Sequence, residues 1–204
     1  MSEVKNKNVK HLVLLGASVG KSWDIEGSPK RMNSNDYDFE LVTEYAFDKT
    51  KKLSEILNRD LNKPDAIIIK ECAAFFPGDV SKYQVLIMNW VNLCREKKVI
   101  PVLATVVPVV KTFPLRSFLF GLLDKKIQFP IHTFDGIISF NDWIREYAKK
   151  EGLIVLDLEK RLRISSTDRH LDNKFAKRDG LHLNQKAYLA LDELIIPTLA
   201  KINW

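Results

Sequence analysis

Residues 12–18 have the sequence Leu-Val-Leu-Leu-Gly-Ala-Ser: four apolar residues, two small residues and a serine. A run of this length and composition predicts a buried strand that ends at Gly16. Similar β-rich runs lie at residues 66–69, 99–107 and 153–156, with a weaker one at 39–42.

Between these runs, apolar residues recur every three or four positions at 49–61, 79–94, 143–148 and 184–195. This spacing is typical of amphipathic helices. Short strands alternating with helices predict an α/β fold, a three-layer α/β/α domain with a mostly parallel sheet. We expect residues 1–204 to form a single domain, with an apolar insert at about 111–133.

Composition excludes several classes of protein. Of the 204 residues, 46% are hydrophobic and 28% charged, as in ordinary globular domains, so a disordered, collagenous or coiled-coil chain is excluded. No apolar run approaches the ~20 residues of a membrane-spanning helix, so we expect no integral membrane segment. The net charge of +6 is mixed along the chain, which favours a solvated surface over a nucleic-acid interface.

Two cysteines, Cys72 and Cys94, are too few for a disulfide framework and are expected to be buried free thiols. No Cys-x-x-Cys pair occurs, and we expect no metal and no cofactor. Lysines 5, 7 and 10 before the first apolar run resemble a weak signal peptide. Because Gly16 interrupts the run and Lys21 follows, we predict a lead-in to a buried strand and a cytoplasmic protein.

Parallel sheets place their functional sites beyond the carboxyl ends of the strands, which points to Ser18. The segment Gly16-Ala17-Ser18-Val19-Gly20-Lys21-Ser22 nearly matches a phosphate-binding loop, but only three residues separate the two glycines where four are needed. The other interpretation makes Ser18 a nucleophile presented at the rim of the sheet. A serine here is also a common helix cap.

A serine nucleophile needs a base, and His182 is the strongest candidate among His11, His132, His170 and His182. It lies in Asp179-Gly180-Leu181-His182, just before the last predicted helix. A carboxylate three residues upstream is placed to orient the imidazole, as in a catalytic triad. The simpler alternative is a loop with an incidental histidine.

Together these residues resemble the GDSL/SGNH family of serine hydrolases. Gly16-Ala17-Ser18 corresponds to the family's Gly-Asp-Ser block, and Asp179-x-x-His182 to its last block. The resemblance covers essentially the whole chain and implies a flavodoxin-like SGNH fold. It also implies ester hydrolysis through an acyl-enzyme, with Ser18 as nucleophile, His182 as general base and acid, and Asp179 as the residue that orients His182.

The chain departs from the family pattern at the oxyanion site. The second-block glycine is not evident, and the third block, Gly-x-Asn-Asp, is replaced by residues 70–75, Lys-Glu-Cys-Ala-Ala-Phe. Oxyanion or substrate binding is therefore assigned to Ser18, Glu71, Ala73 and Ala74. Glu71 is either a site residue that binds a polar substrate group or an acid paired with Lys70 or Lys21.

The apolar insert repeats leucine and phenylalanine on one helical face, at positions 115, 118, 119, 122 and 123. It is either a helix packed on the core or a wall for an acyl chain. Phe120 lies off this face and suits a dimer or a membrane surface, so a homo-oligomer is compatible with the sequence. The expected partner is a small-molecule ester. The alternatives are a catalytically weak relative that binds an acyl or sugar ligand, and a nucleotide-binding protein.

Overall fold

The computed structural model describes residues 9–73, 79–111, 133–178 and 182–204. Within these ranges five strands form one sheet, and every neighbouring pair is parallel. The sheet order is β2-β1-β3-β4-β5. The strands are β1 (Lys10–Gly16), β2 (Tyr37–Thr43), β3 (Ala66–Lys70), β4 (Ile100–Ala104) and β5 (Ile154–Leu156).

Helices follow the strands in the alternation that the sequence predicts. The α-helices are α1 (Ser18–Trp23), α2 (Ser28–Arg31), α3 (Thr50–Leu57), α4 (Val80–Glu96), α5 (Thr133–Glu151), α6 (Leu158–Leu162) and α7 (Gln185–Leu199). Among the described residues, 3-10 turns also lie at Ile25–Gly27 and Asn173–Phe175.

Alternate residues of the strands build two separate cores. Leu12 and Leu14 point to one face of the sheet and pack with α7 residues such as Leu191. Val13 and Leu15 point to the other face and pack with α3, α4 and α5. Helices therefore cover both faces, which confirms the predicted three-layer α/β fold.

Several predicted boundaries need correction. The helix predicted at 49–61 ends at Leu57, with Asn58 as its C-cap, so Leu61 lies beyond the helix and is 83% exposed. The strand predicted at 99–107 ends at Ala104, although the residues after it stay buried. Gly152 ends α5 with a φ of +67°, the conformation expected of a C-terminal glycine.

The cysteine prediction holds for Cys94, which is buried and free. Cys72 is also free but only partly buried. The apolar insert lies almost entirely at 112–132, outside the described residues. Among the helices described, none combines the length and apolarity that crossing a bilayer would require.

Candidate active site

Ser18 is the first residue of α1 and follows directly on the carboxyl end of β1, between β2 and β3. Its side chain is partly exposed, whereas Ala17 before it is buried. The turn brings α1 close to the sheet at Gly20. A Cβ there would lie only 3.0 Å from a Leu41 methyl carbon and 3.1 Å from one of Leu14. Gly20 therefore allows α1 to pack closely on the sheet beside Ser18.

Helix α1 is tied to α7 through buried polar groups. The Trp23 indole N–H donates to Asp192 Oδ1 at 2.9 Å, and Arg31 Nε donates to Asp192 Oδ2 at 2.6 Å. The Asp192 side chain is 1% exposed, so these bonds satisfy a carboxylate that burial would otherwise penalise. The first and last helices of the described chain therefore share one face of the sheet.

His182 lies in the loop that leads into α7, two residues before the helix N-cap Asn184. His182 is exposed, and its backbone carbonyl oxygen accepts a hydrogen bond from the Lys177 backbone N–H at 2.7 Å. The Asn184 amide donates to the carbonyls of Lys174 and Ala176, which fixes the loop on the body of the domain. Asp179 falls outside the described residues.

Glu71 lies beyond the carboxyl end of β3 and is ion-paired with Lys49, Nζ to Oε2 at 2.7 Å. Both side chains are buried, with exposures of 0% for Lys49 and 1% for Glu71. The Lys49 ammonium also lies 5.7 Å from the Trp90 ring centroid. Burial raises the pKa of the Glu71 carboxyl, and the attraction of Lys49 opposes that shift. The predicted pairing of Glu71 with Lys70 or Lys21 was wrong.

Lys70 instead turns to the backbone, where its Nζ donates to the Glu71 carbonyl oxygen at 2.9 Å. Lys70 is 2% exposed. Burial lowers the pKa of its ammonium group. Of the other two residues assigned to the oxyanion region, Ala73 is partly buried and Ala74 lies outside the described residues.

A buried charge network that sequence reasoning missed holds the ends of β4 and β5. Glu159 is completely buried and accepts bonds from Arg169, Arg145 and Asn141 at 2.6 to 3.0 Å. Burial alone would raise the Glu159 pKa, but these donors lower it to about 2. Asn141 also pairs with both backbone groups of Val106. The sequence signals were pairs at helical spacing, Asn141 with Arg145 and Glu159 with Arg163, each four positions apart.

Two further features lie outside this group. The His170 ring stacks on Phe134 with centroids 3.8 Å apart, and its Nδ1 lies 2.8 Å from Asp168 Oδ1. A groove of about 430 Å³ lies between the loop before α3 and the start of α4. Phe47, Val85 and Leu86 line it, with Asp48, Ser81 and Lys82.

Solved structures of several known proteins share the fold of this chain. A GDSL-like lipase from Bacteroides thetaiotaomicron is 20% identical with a TM-score of 0.68, over 94% of this chain and 88% of that one. The esterase EstA from Pseudoalteromonas, in a structure inhibited by monoethylphosphonate, is 12% identical with a TM-score of 0.63, over 94% and 97%. The periplasmic domain of a lipopolysaccharide acetyltransferase from Salmonella Paratyphi A is 12% identical with a TM-score of 0.64, over 96% and 85%. The chain has the fold that these proteins share.

Sequence comparison adds little to this likeness. No protein-family model matches the chain. The ATP-dependent helicase fft3 of Schizosaccharomyces pombe is 26% identical over 136 residues, which is 66% of this chain. The match spans only 14% of that helicase.

Proposed function

We propose that this protein is a serine hydrolase of the GDSL/SGNH type that cleaves an ester through an acyl-enzyme. Ser18 is the nucleophile, His182 the general base and acid, and Asp179 the residue that orients His182. One observation carries the proposal. Ser18 begins α1 at the carboxyl end of a central strand, and the His182 loop leads into α7, which is bonded to α1 on the same sheet face.

The proposed reaction has two balanced steps. In the first, the Ser18 hydroxyl oxygen attacks the ester carbonyl and its proton passes to His182. The C–O bond then breaks, and the alcohol leaves with that proton. In the second step water attacks the acyl-enzyme, His182 takes its proton and returns one to Ser18, and the acid is released.

The structurally similar proteins support this chemistry because hydrolases are among them. They include a lipase, and an esterase whose structure was solved inhibited by a phosphonate. The proposed triad residues match the blocks by which the chain resembles the family.

A second candidate is a catalytically weak relative that binds an acyl or sugar ligand. The observation that favours it is the missing oxyanion asparagine, since loss of one such donor costs ~10²–10³ in rate. The apolar groove at Phe47 and Val85 would suit an acyl chain.

Labelling with a fluorophosphonate tests the proposal without knowledge of the substrate. We expect one adduct by intact mass, mapped to the Ser18 peptide and absent from Ser18→Ala and His182→Ala. His11→Ala is the matched control, because His11 lies near the amino end of β1, at the opposite end of the sheet. An adduct of equal yield in Ser18→Ala would refute the nucleophile. No wild-type adduct, together with ligand binding, would favour the second candidate.

A further inference from the structure

The register of β1 and β3 indicates which residues beyond β3 lie near Ser18. Leu12 pairs with Ala66 and Leu15 with Ile69, a constant offset of 54 positions, and the ladder ends there. Extended by three residues, the same offset would align Ser18 with Cys72. The strand ends remain in contact here, since a Cβ on Gly16 would lie 3.7 Å from Lys70 Cβ.

The hydrogen bonds between β1 and β2, and between β3 and β4, show which way the N–H and C=O groups of β1 and β3 point. Lys10 N–H donates to β2, so even-numbered residues of β1 face β2 and odd-numbered ones face β3. The Asp65 carbonyl accepts from Ile100 N, so odd-numbered residues of β3 face β4. β3 ends at Lys70. If the alternation continues for two more residues, the Glu71 carbonyl would point towards β4 and the Cys72 N–H towards the end of β1.

The Cys72 N–H has no backbone acceptor among the described residues. Continuation of the ladder would give it the Ala17 carbonyl. That oxygen instead accepts Lys21 N at 3.2 Å as α1 begins. A donor is therefore left on the Ser18 side of β3.

Lys70 acts on this same peptide group. Its ammonium donates to the Glu71 carbonyl, which shares one planar, resonance-coupled unit with the Cys72 N–H. Within the described ranges no carboxylate oxygen lies within 4.0 Å of Lys70 Nζ, since the Glu71 carboxylate pairs with Lys49. The Lys70 amine is thus bonded to a backbone carbonyl beside the buried Lys49–Glu71 pair. A donor on the carbonyl oxygen polarises the peptide group and strengthens its N–H as a donor.

We propose that the Cys72 backbone N–H donates to the oxyanion formed at Ser18, and that Lys70 is the positioning residue that fixes and polarises it. The inference rests on the proposed hydrolase function. It explains how a chain without the family's asparagine retains a donor at this level of the sheet.

Kinetics of Lys70 variants provide the first test, with p-nitrophenyl acetate and the fluorophosphonate as probes. We expect Lys70→Met to lower kcat about 10-fold or more with KM nearly unchanged, and to slow labelling equally, since donors to an oxyanion act on the transition state. Lys70→Gln, which keeps a donor without the charge, is expected to fall between the two. Lys63→Met is the control, because that exposed lysine bonds Lys97 O at the amino end of β4. Equal rates in Lys70→Met and wild type would overturn the inference.

An amide spectrum of the wild type provides a test that needs no variant. In ¹⁵N-labelled protein, phosphonylation of Ser18 should move the Cys72 amide proton downfield. A Ser18 adduct that leaves the Cys72 resonance unmoved would overturn this inference and leave the proposed function standing. A wild type that takes no label overturns both. If the Lys70 variants fail to fold, the spectrum alone decides.

Discussion

The ammonium of Lys49 lies 2.7 Å from the carboxylate of Glu71, and water reaches neither side chain. Lys49 comes just before α3 and Glu71 just after β3, so the pair joins the loop behind β2 to the rim beside Ser18. Glu71 Oε1 has no hydrogen bond in the described structure. The pair is therefore held by one strong contact.

Removal of one side chain of the Lys49–Glu71 pair should lower the free energy of unfolding much more than removal of both. Lys49→Met leaves the Glu71 carboxylate buried without its cation, and we expect a loss of about 3 to 5 kcal/mol in unfolding free energy. Lys49→Met with Glu71→Leu should recover most of that loss, because two apolar side chains then fill the space. Urea unfolding of the single and double variants measures both values. A double variant no more stable than the single one would contradict this account.

Stability at acid pH should depend on Glu159. Its pKa of about 2 lies below the ordinary value of 4.5, so its contribution is complete above pH 4.5 and is lost as the pH falls towards 2. That shift corresponds to about 3 kcal/mol. We expect the stability difference between wild type and Glu159→Gln to shrink across this interval.

Denaturant unfolding of both proteins on either side of that interval measures the effect. Other carboxylates titrate in both and largely cancel. Glu96→Gln is the control, because Glu96 is exposed on α4. If the difference in unfolding free energy between wild type and Glu159→Gln stays constant with pH, the ionised Glu159 carboxylate is not the cause of that difference.

Substitution of Gly20 should disturb the packing of α1 against the sheet. Alanine in a helix gains up to ~1 kcal/mol over glycine. The added Cβ would meet Leu41 at 3.0 Å and Leu14 at 3.1 Å, and overpacking of this kind costs about 1 to 3 kcal/mol. We expect Gly20→Ala to lower the melting temperature and to slow labelling of Ser18. Adding Leu41→Ala should restore the labelling rate, and its failure to do so would locate the defect elsewhere.

The sequence predicted the layers of the fold best, because burial of apolar residues alone determines that pattern. Alternation of short apolar runs with amphipathic segments predicted the sheet and its two helical layers, because burial of both faces dictates that pattern. The helical segments predicted to begin at 79 and 184 do begin there, with Asp79 and Asn184 as the N-caps of α4 and α7. Leu61 misled because an apolar residue at helical spacing says nothing about whether the backbone has already turned.

The candidate site was predictable only in part. Ser18 and His182 were proposed because they lie just beyond a strand end and just before a helix, and their catalytic roles stay predictions. The partner of Glu71 was not predicted, because Lys49 is 22 positions away and comes from another layer. The network around Glu159 was missed for the same reason, since its arginines come from separate segments. Long-range ion pairs leave no periodic trace in a sequence.

The bond between Trp23 and Asp192 joins residues 169 positions apart. During synthesis, at roughly 5 to 20 residues per second, the Trp23 indole waits roughly 10 to 30 seconds before its acceptor is made. Throughout that interval α1 lacks the helix against which it is bonded, and the Ser18 turn lacks its final support. The rim that carries Ser18 is therefore among the last described parts of the fold to gain their contacts on the ribosome, although it is encoded near the first strand.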